Sequence, residues 1–239
     1  MPARASRLPT WISAEFGTLV TLVLAATSLL VFAWLAEEVA GGETHGFDRA
    51  VLLAFRNPAD PADPLGPVWL EIAMRDITSL GSVAVLGLVT LAVIGFLVMD
   101  GRRGTALLVV VATAGGTALS SVLKLGFDRP RPDLVAHLVD VHTLSFPSGH
   151  AMLSAVTYLT LGALLARAQP RRRLKVYLLT VAVLLTVLIG LSRIYLGVHW
   201  PTDVLAGWCA GSAWALGCWL AALALQRGGA VEDDGPPKE

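Results

Sequence analysis

The residues with the clearest chemical potential lie in three short polar clusters that interrupt a very apolar sequence. The clusters span residues 124–132, 147–150 and 192–203, and they contain Lys124, Arg131, His150, Arg193, His199 and Asp203. Cationic side chains can hold a phosphoryl oxyanion, one imidazole can attack, another can donate a proton, and a carboxylate can orient the attacking ring. These residue types therefore favour phosphoryl transfer without a metal ion.

The third cluster pairs a histidine with a carboxylate. His199 and Asp203 are four residues apart, so on a continuous helix they would share a face. Pro201 favours the first position of a helix, which would leave His199 just before that helix. In either arrangement the carboxylate can fix the imidazole tautomer and leave the other ring nitrogen to attack. Arg193 adds a planar guanidinium suited to phosphate, although the His–Asp pair by itself is more typical of a structural hydrogen bond.

The second cluster, Pro147-Ser148-Gly149-His150, leads directly into an apolar segment. Ser148 can cap the helix that begins there, and Gly149 allows a ligand to approach the backbone closely. The free backbone N–H groups of a helix N-terminus favour anion binding. His150 would then project from the first turn, and an ordinary serine cap beside an incidental histidine is the alternative.

The first cluster follows the end of another apolar segment. Pro130 and Pro132 prevent the helix that contains Lys124 from continuing far. Basic residues near a helix C-terminus often only complement its dipole or contact lipid headgroups. That interpretation is preferred for Arg129 and stays open for Lys124.

Six apolar segments must position these clusters. The chain is 55% hydrophobic and 15% charged, with a mean hydropathy of +0.67. A membrane-spanning helix needs roughly 17–25 apolar residues. The sequence predicts spans over residues 16–36, 78–99, 104–124, 149–167, 175–192 and 203–226. We therefore expect an all-α polytopic membrane protein, with residues 1–239 forming a single domain.

The distribution of basic residues predicts the orientation. One set of loops and both termini carry 11 of the 18 Lys and Arg residues, which places that side in the cytoplasm. The loops after the third and fifth spans then face outward together. All three polar clusters are consequently expected at the same non-cytoplasmic face, and both termini in the cytoplasm.

The remaining segments carry weaker signals. The outward loop of residues 37–76 contains Phe47, Val51 and Phe55 at helical spacing, which predicts a short helix in the membrane interface, broken by a proline-rich repeat at 58–64. Pro67 can open a second short helix. This loop could plug the bundle edge or gate lipid access. Residues 228–239 are expected to be disordered, and the zero net charge argues against a nucleic-acid partner.

The three clusters together match the pattern Lys-x6-Arg-Pro, Pro-Ser-Gly-His and Ser-Arg-x5-His-x3-Asp. In this the chain resembles the type 2 phosphatidic acid phosphatase superfamily of integral-membrane lipid phosphatases. The resemblance implies that His199 is the nucleophile, Asp203 orients it, and His150 protonates the leaving group. It implies phosphate binding by Lys124, Arg131, Ser148, Gly149 and Arg193, and no metal or other cofactor. His137 and His142 match no motif position and are interpreted as loop residues.

The expected function is hydrolysis of a lipid phosphate or diphosphate at the outer face of a bacterial inner membrane, through a phosphohistidine. Undecaprenyl diphosphate is the first choice of substrate, with phosphatidylglycerol phosphate and phosphatidic acid as alternatives. A lipid phosphotransferase would use the same residues. A non-enzymatic transporter or scaffold is the least favoured alternative, because the motif set is intact.

Overall fold

The computed structural model describes residues 10–141 and 143–227, with side chains described from Glu15 to Gln226. His142 and the predicted disordered tail of residues 228–239 lie outside the described residues. The same holds for the basic residues Arg4, Arg7 and Lys238, which contributed to the predicted orientation.

The described chain is a bundle of helices with one small hairpin. The elements are α1 (Thr10–Gly41), α2 (His45–Leu53), β1 (Arg56–Asn57), β2 (Asp60–Pro64), α3 (Val68–Ser79), α4 (Val83–Met99), α5 (Arg103–Gly126), α6 (Gly149–Ser154), a π-helical turn (Ala155–Leu159), α7 (Thr160–Arg167), α8 (Arg172–Tyr195) and α9 (Pro201–Arg227). Helix α6, the π-helical turn and α7 form a single span of 19 residues. Its bounds, Gly149–Arg167, coincide with those of the predicted fourth span at 149–167.

Among the described residues, five helical segments are long and apolar enough to cross a membrane, and the pair α3 and α4, bent by 48°, supplies a sixth if it forms one span. The expected all-α polytopic membrane fold is confirmed, and the chain is a multi-pass membrane protein.

The start of the second predicted span was wrong. Residues 78 and 79 end α3 rather than begin the span, and α4 starts only at Val83. The break lies where the backbone passes close to α8, since a Cβ built on Gly81 would lie 2.4 Å from Ile189 Cγ2. The hydroxyl of Ser82 then caps α4 by accepting the backbone N–H of Val85 at 3.2 Å.

The first long loop contains more structure than the sequence predicts. Helix α2 forms as expected, but it ends before Phe55. The proline-rich repeat does not merely break the helix, because Asp60–Pro64 pairs antiparallel with Arg56–Asn57 in a short hairpin. Prolines are tolerated there because both strands are sheet edges. Pro67 caps α3 from just outside the helix rather than occupying its first position.

Helix α9 is the centre of the packing. It contacts α1 along its length and crosses closely over α6. A Cβ built on Gly207 would lie 2.7 Å from Ser148 O, and one on Gly211 would lie 2.5 Å from Met152 O. Gly207 and Gly211 therefore lie at a close helix crossing, as is typical of small residues spaced four apart in membrane helices. The crossing brings the beginnings of α6 and α9 together, and with them the second and third polar clusters.

Candidate active site

A polar cavity of about 310 Å³ lies at the end of the bundle where α5 and α8 finish and α6 begins. Six of the eight predicted site residues line it: Lys124, Arg131, Gly149, His150, Arg193 and His199. Asp203 lies behind His199, and Ser148 is buried beside Gly149. The remaining wall comes from the α3–α4 break and from residues 139–141 and 143 of the loop before α6. The three polar clusters thus meet at one place.

His199 is almost completely buried, and both of its ring nitrogens have partners. Nδ1 lies 3.4 Å from Asp203 Oδ2 and 3.4 Å from Ser145 Oγ. Nε2 lies 3.1 Å from Arg131 Nη1. Because arginine only donates hydrogen bonds, this contact is satisfied when Nε2 carries its lone pair and Nδ1 carries the proton. That tautomer directs the lone pair of Nε2 towards the cationic side of the cavity.

Asp203 is held more firmly than its contact with His199 alone would require. Its Oδ2 accepts the hydroxyl of Ser145 at 2.5 Å and the backbone N–H of Trp200 at 2.9 Å. Its Oδ1 accepts Arg129 Nη1 at 2.6 Å. A carboxylate with donors on both oxygens cannot rotate freely, so it can orient an imidazole precisely enough for attack.

Two cations approach the cavity from the first cluster. Arg131 donates to Thr143 O at 2.7 Å and to Val198 O at 2.5 Å, which fixes its guanidinium beside His199. Lys124 donates to Leu144 O at 2.7 Å. A guanidinium and an ammonium at one cavity wall are suited to phosphoryl oxygens.

Arg193 reaches the cavity from α8, and only part of its hydrogen-bonding capacity is used. Its Nη1 donates to Thr78 Oγ1 at 3.0 Å, while its Nε is buried with no hydrogen-bond partner. Buried polar atoms are nearly always paired, so an unpaired guanidinium nitrogen at a cavity wall is what an anionic ligand would satisfy. His150 lines the same cavity from the first turn of α6.

Ser148 occupies the N-cap position of α6, but its side chain does not cap the helix. Its hydroxyl is buried without a hydrogen-bond partner, and its backbone N–H donates to Asp203 O at 2.9 Å. The expected side-chain cap is therefore wrong. Its backbone joins α6 to α9, and Gly149 forms part of the cavity wall.

The cavity is electrostatically positive, and this affects His199. Burial and the nearby cations Arg131, Arg193 and Lys124 hold the pKa of the His199 imidazole well below its usual value. Burial also lowers the pKa of the Arg131 guanidinium. His199 is consequently neutral at physiological pH, which is the protonation state in which an imidazole can act as a nucleophile.

The interpretation of Arg129 as a residue that complements a helix dipole or binds lipid headgroups was wrong. Arg129 is buried and forms ion pairs with Asp48 and Asp203. It lies two residues before Arg131 in an Arg-Pro-Arg-Pro segment, a spacing that in extended backbone would place both side chains on the same side. The sequence around Arg129 therefore does not reveal its role.

Ser145 and Thr78 were also missed. Ser145 contacts both members of the His–Asp pair, and Thr78 contacts Arg193. Single hydroxyl residues carry no spacing pattern, so no sequence signal identifies them. His137, in contrast, does not line the cavity and lies 2.6 Å from Pro132 O through Nε2. Within residues 10–141 and 143–227, no group of three or more His, Cys, Asp or Glu side chains could hold a metal ion.

Comparison with known proteins agrees with this geometry. The profile of the PAP2 superfamily matches residues 105–227, which contain all three clusters. The chain is 38% identical over 149 residues to phosphatidylglycerophosphatase B of Bacillus subtilis, covering 60% of this chain and 70% of that protein. The chain belongs to the PAP2 superfamily. Like the relatives it matches, this PAP2 chain is a phosphatase.

Two further similarities extend the comparison. The PAP2 chain is 36% identical over 95 residues to an undecaprenyl-diphosphatase of Sulfolobus acidocaldarius, covering 40% of this chain and 37% of that protein. Its fold resembles the crystal structure of the transmembrane PAP2-type phosphatidylglycerolphosphate phosphatase of Bacillus subtilis. That match has a TM-score of 0.73 and 28% identity, and it covers 85% of this chain and 96% of the other.

Proposed function

We propose that this PAP2 phosphatase hydrolyses a membrane lipid phosphate through a phosphohistidine at His199. The observation that carries the proposal is the environment of His199 Nε2, which lies beside Arg131 in a cavity that Lys124, Arg193 and His150 also line. One ligand in this cavity can therefore contact a nucleophile, cations for its phosphoryl oxygens and a second histidine.

In the first step the lone pair of Nε2 attacks phosphorus, and the bond from phosphorus to the lipid oxygen breaks. Asp203 holds the ring through Nδ1 and stabilises the positive charge that develops on it. Arg131, Lys124 and Arg193 bind the equatorial oxygens, and Gly149 allows the phosphate to approach the backbone. His150 donates a proton to the departing oxygen.

In the second step water attacks the phosphohistidine. His150 accepts the proton from that water, the Nε2–phosphorus bond breaks, and inorganic phosphate leaves. His199 returns to its neutral state with the Nε2 lone pair restored. All charge stabilisation in this scheme comes from side chains, so we expect activity to persist in EDTA.

A lipid is the natural substrate, because the cavity lies at the end of membrane-spanning helices. The excess of basic residues in the opposite loops supports an outward-facing site at the inner membrane, with cytoplasmic termini. The sequence and fold similarity to phosphatidylglycerol phosphate phosphatase of Bacillus subtilis supports phosphatidylglycerol phosphate as the leading substrate. Undecaprenyl diphosphate is the second candidate, supported by the shorter match to an undecaprenyl-diphosphatase.

The proposal is tested by phosphate release from purified protein with phosphatidylglycerol phosphate, undecaprenyl diphosphate and phosphatidic acid, each with and without EDTA. The His199→Ala variant should lose at least about 10³-fold in kcat, because no other group can form the covalent intermediate. The His137→Ala variant is the matched control and should retain activity. Activity that survives in His199→Ala, or that requires added Mg²⁺, would contradict the mechanism.

The lipid phosphotransferase alternative predicts a different product. With one purified lipid phosphate and water as acceptor, a hydrolase releases one free phosphate for each substrate consumed. A transferase releases little free phosphate under these conditions, and it forms a second phosphorylated lipid when a lipid with a free hydroxyl is added as the acceptor.

A further inference from the structure

Three buried charged side chains form a continuous row behind the candidate nucleophile. Asp48 (0% exposed), Arg129 (8% exposed) and Asp203 (0% exposed) make two ion pairs. Arg129 Nη2 donates to Asp48 Oδ2 at 2.5 Å, and Arg129 Nη1 donates to Asp203 Oδ1 at 2.6 Å. Burying charges is costly unless each is paired and hydrogen-bonded. An arrangement that buries three of them next to a catalytic pair therefore calls for an explanation.

Asp48 anchors α2 to the beginning of α9. Its Oδ1 accepts the backbone N–H of Thr202 at 2.9 Å, and its Oδ2 accepts the Thr202 hydroxyl at 2.7 Å. The first backbone N–H groups of a helix have no partner within the helix. Asp48 thus supplies the capping carboxylate for α9 from a distant part of the chain. The residue that it caps, Thr202, directly precedes Asp203.

Arg129 is fixed by further contacts. Besides the two carboxylates, its Nη1 donates to Thr202 Oγ1 at 2.8 Å and its Nη2 donates to Thr44 Oγ1 at 3.1 Å. Its guanidinium lies over the Trp200 ring, 5.7 Å from the ring centre. Arg129 therefore cannot turn away from Asp203 without breaking several buried contacts.

The order of the charges matters for the chemistry. Attack by Nε2 places positive charge on the His199 ring, and Asp203 is the anion that stabilises it. Arg129 alone would neutralise Asp203 and weaken that effect. With Asp48 included, two carboxylates and one guanidinium carry one excess negative charge. Asp48 therefore restores the negative field at His199 while Arg129 keeps Asp203 oriented.

We propose that Asp48 is a positioning residue of the phosphatase, which acts on His199 through Arg129 and Asp203. It does not line the cavity, so it has no contact with the reacting atoms. It also lies before the segment of residues 105–227 that the superfamily profile matches. Helix α2 is then part of the catalytic apparatus and not only a plug at the edge of the bundle. The inference rests on the proposed function, because it concerns the charge that forms on His199.

The first test is Asp48→Asn, which is nearly the same size, keeps an oxygen acceptor for Thr202 and removes the charge. We expect kcat to fall about 10-fold to 100-fold, the range typical of residues that orient catalytic groups. KM should stay close to that of the unchanged protein, and the phosphoenzyme should form more slowly in a single turnover. Arg49→Gln is the matched control, because it removes one charge from an exposed neighbour on the same helix and should leave kcat unchanged.

The second test is the double variant Asp48→Asn/Arg129→Gln. The amide introduced at position 129 can still donate to Asp203 but no longer neutralises it. We therefore expect the double variant to recover part of the kcat lost in Asp48→Asn. A merely structural role predicts the opposite order, with less folded protein and less activity in the double variant.

The outcomes separate this inference from the proposed function. If the unchanged protein releases no phosphate from any lipid tested, the proposed function fails. If it is active, His199→Ala is inactive and Asp48→Asn keeps its full kcat, only the positioning role fails. The role also fails if the double variant is no more active than Asp48→Asn. Loss of folded Asp48→Asn in size-exclusion chromatography would likewise overturn it, since Asp48 would then be a structural residue.

Discussion

His199 combines two properties that are usually in conflict. In the proposed mechanism it must be neutral to attack, yet it must lie among the cations that bind phosphate. Burial and those cations resolve the conflict, because both disfavour the imidazolium form and hold the pKa of His199 well below its usual value. The cations that we propose to bind phosphate therefore also keep the proposed nucleophile in its neutral form.

This coupling predicts a particular pH dependence. A base with a lowered pKa stays neutral until the pH falls to that pKa, so the acid limb of kcat/KM should lie well below pH 6.5, the ordinary pKa of an imidazole. Arg131→Gln removes the cation with the largest effect on His199, so the acid limb should move upward by about one pH unit or more. Arg131→Lys keeps the charge and should keep the limb near its original position. A limb that does not respond to Arg131→Gln would contradict the coupling.

The sequence predicts the residues that line the site better than it predicts the residues that hold them in place. His199, Asp203, His150 and the three cations stand out because their types and spacing are unusual beside apolar segments. Arg129 was misinterpreted because its partners Asp48 and Asp203 lie 81 and 74 residues away. No local pattern distinguishes a cation at a helix end from one buried between two distant carboxylates.

At the scale of elements, two helix N-termini define the site. Ser148 N donates to Asp203 O, which ties the start of α6 to the start of α9. The glycines of α9 allow this approach, because the backbone of α6 lies directly against Gly207 and Gly211. His150 and His199 are thereby carried by two elements that are fixed to each other.

The close crossing of α6 and α9 predicts that one added methyl group in α9 is destabilising. In Gly211→Ala the new Cβ would lie 2.5 Å from the backbone oxygen of Met152, so α6 and α9 must move apart. We expect a loss of about 1–3 kcal/mol in the free energy of unfolding, as for other overpacked sites, together with reduced kcat. Thermal unfolding in detergent and phosphate release measure the two effects. Gly217→Ala, on the same helix with open space around it, should change neither, and equal behaviour of the two variants would exclude the crossing as the cause.

The spans were predictable from charge-free length, whereas the breaks between them were not. Helix α4 begins at Val83 because Gly81 meets Ile189 on α8, a contact between distant segments. The Gly81-Ser82 pair is typical of a helix boundary, but the uncharged segment around it predicts one continuous span. The hairpin at 56–64 was missed because its prolines favour a loop and only the pairing reveals strands.

At the scale of the whole molecule, the packing brings all three clusters to one end of the bundle. The orientation of that end follows from the distribution of basic residues and stays a prediction. An outward site would act on lipids of the outer leaflet of the inner membrane, and a cytoplasmic site would have a different substrate pool.

Cysteine labelling tests the orientation. In a background with Cys209→Ala and Cys218→Ala, Ala59→Cys places a thiol in the exposed hairpin turn and Ala168→Cys places one in the exposed turn between α7 and α8. A maleimide that cannot cross membranes should label position 59 in intact cells and position 168 only after lysis. The reverse pattern would overturn the predicted topology.

The break between α3 and α4 has a consequence for inhibitors. Among the described residues that line the cavity, only Thr78, Ser79 and Ser82 come from before residue 105, outside the segment matched by the superfamily profile. A compound that contacts only the histidines and cations should inhibit many members of the superfamily. A compound that also contacts the broken helix should discriminate among them, so selectivity is to be sought at that kink.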